Sequence, residues 1–527
     1  MSSADKDPIE KSRKDNQSIA RGSISDDIDN AVLRANGHQS DLKRQFNWLS
    51  ALGLGFSITN SWVGYLSNFG QSLIYGGPQV CVFGLVVAFV VQFIITLGLS
   101  EIASAFPSTG GQYHFCYILT PQKSKRFTAY VVGWMSTLAW WIVTCSGISL
   151  ASATLAGMIS FFDPDFVVQR WQIYLLYVSV AVITAVPVFV ASNRLAIVVQ
   201  GSLFLSLIGM ALTLFVATGM HKHTNDGSYL VQSNLGTSGW DSGTAWLLGI
   251  TNCMYAFGGT DGAIHISEEM SQPGRRVPQI IIITMLIGLV TCLPLFIALM
   301  FFMTDLEAVA TSPLPSMELI YQATGNRNVT VFLISLILVV YILSLPSQWV
   351  TSGRLAWAFA RDNGVPFSTY FVKIDRKLGF PVRTTVASFV FVLLYGLLYL
   401  ASTTAFNSIV TSAVLFLNIT YAVPQGILLF QGRESLPPKY LNLGRFGYAC
   451  NTFSILWIVV LGVVICMPPS LPVTTATMNY ISVVTVGLFS LIILLWYTSG
   501  RRNFEGPHID WELMKEANTQ TLKKNAV

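Results

Sequence analysis

Charge is what this sequence has least of. Lys and Arg number 31 and Asp and Glu 26, so only 11% of the 527 residues are charged, against about 25% in soluble domains. A chain this poor in charge cannot cover a water-facing surface of its size. Cysteine is sparse too. The seven cysteines (81, 116, 145, 253, 292, 450 and 466) fall mostly inside apolar runs and form no CxxC pair. That argues against a disulfide framework or a thiolate metal centre and leaves them as small packing residues. Walker loops, zinc-ligand spacings and nucleophile elbows are missing as well, so no enzyme, metal or organic cofactor is expected. A net charge of +5 is too small to suggest nucleic acid.

What remains is apolar. Hydrophobic residues make up 52% of the chain, many in uncharged runs longer than the ~18 residues that mark a membrane span. The expectation is an all-α polytopic membrane protein with twelve transmembrane helices. They are placed near 47–70, 78–106, 127–159, 171–191, 195–219, 244–268, 277–303, 329–359, 383–401, 406–430, 448–467 and 478–498. The loops on the side of the amino-terminal tail hold 14 Lys/Arg, from Lys123 to Arg445, and the opposite loops hold only Arg170, Lys222 and Arg327. This asymmetry puts both termini in the cytosol. Residues 1–45 are polar, with eight basic and eight acidic side chains and no apolar signal-peptide core; they read as a disordered cytosolic tail. The twelve-helix body is expected at 46–500 and a second cytosolic tail at 501–527.

Two spans carry residues that loosen a helix. The first holds "GLGFSITNSW" (53–62), with Ser57, Ile58, Thr59, Asn60, Ser61 and Trp62 in mid-membrane; the sixth holds "YAFGGTDG" (255–262), with Tyr255, Phe257, Gly258, Gly259 and Asp261. Weak helix formers and side chains that compete for backbone hydrogen bonds cluster in both. The breaks lie about 200 residues apart, as an inverted repeat of spans one to five (46–219) and six to ten (240–430) would place them, with 448–498 as additional helices. Unwound backbone at that depth is tolerated where it lines a cavity, and its exposed N–H and carbonyl groups bind a small solute. These residues are therefore the candidate substrate site. Asp261 is the one acidic residue deep within a span. It is expected to meet a substrate's positive end or to carry a coupling proton, with His265 one turn beyond. Aromatic faces suit a quaternary amine that has no N–H to donate; Trp62, Tyr255, Phe257, Trp140 and Trp141 are candidates. Ser347, Gln348 and Asn418 are weaker ones. Glu101, Arg126, Glu268 and Arg354, with Glu269, Arg275, Arg276 and Arg361, sit at cytosolic helix ends, where ion pairs can close an inward path.

Three cytosolic stretches, "SEIASAFPSTGGQYHF" (100–115), "EEMSQPGRRVPQ" (268–279) and "AFARDNGVPFS" (358–368), resemble the fungal amino acid/choline transporters of the amino acid–polyamine–organocation superfamily. The likeness spans about residues 44–505. "LGLGFSITNSWVGY", "YLASTTAF" and "LPVTTATMNY" resemble choline permeases within it. The resemblance implies a LeuT-type 5+5 inverted repeat plus two helices, and a secondary active transporter of a small nitrogenous solute by alternating access. Choline or a related amine is the leading substrate; GABA, other amino acids or alkaloid-like amines are alternatives. It also implies a plasma-membrane location, with the vacuole second. H+ is the expected coupling ion, and a sodium site built from hydroxyls and carbonyls of spans one and eight is the alternative. Some proton-coupled relatives carry a lysine in span five, where this chain has Ser206 and Leu207. A nutrient sensor that binds without transport is the reading from another class.

Overall fold

The computed structural model describes residues 27–39, 41–163, 165–401, 403–474 and 478–525. Among them ten helices are long and apolar enough to cross a membrane. In lipid the backbone must satisfy its hydrogen bonds within each helix, so apolar runs of this length become unbroken helices. The two expected spans missing from those ten are the first and the sixth. Both are interrupted where the sequence places Asn60 and Gly258–Gly259.

The first span begins at an Asn47–Ser50 capping box and runs as Trp48–Thr59. At Asn60 the backbone turns left-handed (φ 30°, ψ 55°), and helix resumes over Ser61–Leu66. Asn tolerates that region better than other side chains except Gly. Phe69–Gln79 then carries the chain to a turn at Gly76–Gly77, where φ reaches 67°, before Leu85–Ala105 crosses as the second span. The sixth span is capped by Asp241 and is α-helical over Ser242–Cys253. It tightens to 3-10 geometry at Met254–Phe257, opens at extended Gly258 and left-handed Gly259, and continues as a 3-10 segment over Thr260–Glu269.

The remaining spans follow the expected order: Lys125–Phe162, Arg170–Val190, Leu195–Met220, Pro273–Phe302 and Arg327–Arg361. Val382–Gly396, Thr403–Gln431, Phe446–Val464 and Ile481–Leu495 complete them. Between spans two and three a short connector helix, Gln112–Leu119, lies on the face where the termini sit. The corresponding connector between spans seven and eight, Leu306–Thr311 and Pro315–Thr324, lies on the opposite face. Equivalent connectors on opposite faces are what an inverted repeat produces. Outward-facing Val190, Ile197, Phe215 and Val483 are among the most exposed apolar side chains and form part of the lipid-facing belt.

Residues 1–26 of the expected tail lie outside the described residues. The rest of that segment departs from the expectation. Residues 27–35 form a helix, and Val32, Leu33, Leu42 and Phe46 are buried. With Ala35, also buried, five apolar side chains spaced among charges are enough to dock a short segment on a surface prepared for it. The carboxy-terminal segment likewise forms a helix, Trp511–Asn525, with Met514 and Ala517 buried.

Candidate functional site

The two breaks face one another. Gly259 lies so near span one that a Cβ on it would sit 3.0 Å from Ile58 Cγ2 and 3.4 Å from Trp140. Its φ of 73° also disfavours any side chain there. Beside the breaks is a cavity of about 60 Å³, several times the room that one water needs. Ser57, Ile58, Thr59 and Asn60 of span one and Tyr255, Gly258 and Gly259 of span six line it, with Gln348 and Asn418 opposite. The helices Trp48–Thr59 and Ser242–Phe257 both end here, so their carbonyl termini bring partial negative charge to the site.

Ser61, Trp62, Phe257 and Asp261, four of the residues expected at the breaks, do not line the cavity, and neither do the aromatic candidates Trp140 and Trp141. Trp62 is wholly buried, its indole N–H donating to Ser206 Oγ at 2.9 Å. Ser61 packs against Gly288 of span seven, and Phe257 stacks edge-on with Phe89 at 5.4 Å. Trp141 packs on Phe391 at 5.2 Å and likewise stays outside. The aromatic walls are instead Tyr255, Tyr341 and Tyr421. Gln92, Ser146 and Ser344 also line the cavity without having been singled out from sequence. The available signal was a polar side chain inside an apolar span, which marks Gln92 most clearly. Its amide oxygen and nitrogen are buried without a partner, as are Gln348 Oε1 and Asn418 Oδ1. Buried amides normally find partners, so these are the free hydrogen-bonding groups of the site.

Asp261 is the fourth exception. It is fully buried, does not line the cavity, and meets four side chains. Tyr421 Oη donates to Oδ1 at 2.5 Å. Gln112 Nε2 donates to Oδ2 at 2.6 Å and Trp140 Nε1 at 3.1 Å, and His265 Nε2 lies 3.2 Å from the same oxygen. The expected pairing with His265 is present. His265 Nδ1 contacts the Thr109 carbonyl at 2.9 Å, and the Thr109 N–H donates to Glu268 at 3.2 Å. A bonded path therefore runs from the cavity wall at Tyr421, through Asp261 and His265, to the carboxylates on the termini side.

That side is closed. Arg361 binds Glu268 through both terminal nitrogens at 2.9 Å. Arg354, fully buried, binds Glu269, with Nη2 3.0 Å from Oε2. Glu101 pairs with Arg433, and Lys439 stands 3.6 Å away, tying span two to the loop after span ten rather than to span eight. Arg126 departs from the expected ion-pair set. It donates to the Phe504 and Arg501 carbonyls at 2.7 and 3.1 Å, because its position at the start of span three points it at the carboxy-terminal segment. Arg275 lies over the Tyr440 ring at 5.3 Å.

On the opposite side a vestibule of about 460 Å³ shares Ser146, Tyr255 and Val414 with the cavity. The hydroxyls of two of these shared residues, Tyr255 and Ser146, bond to each other at 3.0 Å. Span five meets the first break through hydroxyls. Ser206 Oγ donates to Asn60 Oδ1 at 2.8 Å, Asn60 Nδ2 donates to Ser344 at 2.9 Å, and Ser202 links Ser57 to Ser344 at 3.2 Å.

Residues 46–489 match the sequence profile described as amino acid permease. A choline transporter of Saccharomyces cerevisiae is 33% identical over 91% of this chain and 85% of its own. A GABA-specific permease of the same yeast is 28% identical over 91% and 86%. A swainsonine transporter of Arthroderma benhamiae is 26% identical over 88% and 93%.

Proposed function

Because the chain belongs to the amino acid permease family of the amino acid–polyamine–organocation superfamily and is a multi-pass transporter of small nitrogenous solutes, we propose that its cargo is choline or a closely related amine. The observation that carries this reading is the lining of the cavity. Three tyrosines and four side-chain amides surround it, and among the described residues no charged side chain does. A quaternary ammonium has no N–H to offer, so tyrosine faces and helix carbonyl ends are its natural partners. The unpartnered amide oxygens of Gln348 and Asn418 suit the hydroxyl of a choline-like alcohol.

In this reading transport is by alternating access with H+ as the coupling ion. The cation rests on the tyrosines, not on Asp261, which stands behind Gly259 with its hydrogen-bonding capacity in use. Asp261 and His265 form the proton-carrying pair. Protonation of the carboxylate weakens its hold on Trp140 and Gln112, and through Thr109 the change reaches the Glu268–Arg361 pair. The termini lie in the cytosol, so the closed ion-pair face is cytosolic and the vestibule faces outward. The plasma membrane is the proposed location and the vacuolar membrane the alternative.

A GABA-like amino acid is the second reading, favoured by the identity to the GABA-specific permease. A radiolabelled uptake panel of choline, GABA, basic and neutral amino acids in a permease-deficient host, with and without a proton gradient, separates the two. Saturable choline uptake that collapses with the gradient is expected. Uptake of GABA with no choline saturation overturns the choline assignment.

A further inference from the structure

The segment that leads into span one lies across the seam of the closed face, and its contacts fall on both sides of that seam. On the side of spans six and seven, Gln45 Nε2 donates to Glu269 Oε2 at 2.5 Å and the Phe46 N–H donates to the Glu269 carbonyl at 3.1 Å. Asp29 Oδ2 accepts the Gln272 N–H at 2.9 Å. On the side of span eight, Leu42 packs with Trp357 and Ala358, and His38 Nε2 lies 3.3 Å from Asp362 Oδ1. Glu269 is also the partner of Arg354, and Asp362 follows directly on Arg361. The segment thus braces the same side chains that close the face.

A second terminal segment holds the first in place. The Asp510 N–H donates to the Ala35 carbonyl at 2.9 Å, and Gly37 lies so close to the His508 backbone that a Cβ there would be 2.5 Å from its carbonyl oxygen. The carboxy-terminal helix is itself fixed to span two, Asn518 Nδ2 donating to the Ala105 carbonyl at 3.2 Å.

The Glu268–Arg361 and Glu269–Arg354 pairs join the end of span six to span eight, so an opening of this face along that seam parts those two spans. A segment bonded to both sides must let go of one of them first. We infer that residues 27–46 are an autoinhibitory clasp: docked, they hold the face shut, and released, they let span one swing through the Phe46–Asn47 link into Trp48. Both contact sets are needed for this. A segment bound to one side only would ride with that side and leave the opening free.

Hydrogen–deuterium exchange of the full chain in lipid nanodiscs tests this without any substrate, so its outcome stands apart from the choline assignment. Leu42→Glu removes the span-eight anchor and Gln45→Ala removes the bond to Glu269. Each variant is expected to raise exchange of residues 108–119 and 354–362 about tenfold or more: Gln45→Ala loses one hydrogen bond to a charged group, and Leu42→Glu sets a charge against buried Trp357 and Ala358. A synthetic peptide of residues 27–46 added to the Gln45→Ala protein is expected to restore slow exchange. Unchanged exchange in both variants overturns the clasp. So does faster exchange spread evenly over all spans, since that reports loss of fold rather than release of one face.

Discussion

Tyr421 and Asp261 meet through one hydrogen bond of 2.5 Å, and it joins the wall of the cavity to the interior of the bundle. Tyr421 presents its ring to the cavity, while Asp261 is sealed behind the second break. A solute that presses on the ring is thereby coupled to a carboxylate it does not touch. Asp261→Asn is expected to reach the membrane and to bind choline with less than a tenfold change in Kd, under about 1.4 kcal/mol. Proton-driven accumulation by that variant is expected to be lost. Binding measured by scintillation proximity and accumulation measured in proteoliposomes check the two halves separately. Loss of binding together with accumulation would return Asp261 to the role of direct ligand.

Tyr255 makes two contacts that substitution separates. Its ring lines the cavity and its hydroxyl bonds to Ser146 at 3.0 Å. Tyr255→Phe keeps the ring and removes the contact, so affinity should hold while exchange of bound solute quickens. Tyr255→Leu removes the ring and should weaken choline binding by up to about 2 kcal/mol, the upper range for a desolvated cation–π contact. Equal affinities for the Phe and Leu variants would show that the ring does not meet the cation.

How much of this was legible in the sequence depends on whether a residue acts locally or through packing. The spans were legible because apolar length is a local property, and the breaks because Asn60 and Gly259 take backbone conformations that few residues tolerate. The pairing of the gate was not. Which of several arginines meets Glu268 or Glu269 depends on how spans six and eight approach, and Arg126 turns aside to backbone carbonyls. Trp62 adjoins a break in sequence yet points to Ser206, because one residue of rotation in a helix carries a side chain about 100° away from its neighbour. The docked segment 27–46 was hidden by its balanced charge. Its burial comes from five apolar positions that find partners only on the assembled face.

The Arg354–Glu269 pair is almost wholly withdrawn from solvent, with 0% and 1% of the two side chains exposed. Removing one member leaves the other charge buried, which costs about 3–5 kcal/mol, whereas removing both in favour of apolar side chains is close to neutral. Arg354→Met should therefore lower the melting temperature in detergent strongly, and Arg354→Met with Glu269→Leu should recover most of the loss. The double variant is still expected to transport poorly, because its closed face has lost the contact that re-forms in each cycle. A double variant as unstable as the single would show that the pair is not the source of the cost.

Acid should loosen the closed face through His114, on the connector helix outside the spans. Burial pushes its imidazole down to about 3 from an ordinary 6.5, and neighbouring His38 pushes the same way. Neither ring nitrogen meets a hydrogen-bond partner. The charged groups around it are Asp362 and Arg361 at the end of span eight and Glu268 at the end of span six. Below pH 6.5 the unfolded chain takes up a proton that the folded protein refuses until about pH 3, so stability falls as pH falls through that window. Asp362 does not alter this between pH 7 and pH 5, and in stronger acid it acts in the same direction. Burial disfavours its charge, but His38 and Arg361 hold its carboxyl below the ordinary 3.8, so its own contribution is lost only in stronger acid. Between pH 7 and pH 5 the His114 contribution amounts to about 2 kcal/mol. His114→Phe keeps an aromatic ring and removes the titration. Its melting temperature should change little between pH 7 and pH 5, while that of the parent protein drops. An equal drop in both proteins would assign the acid sensitivity to another group.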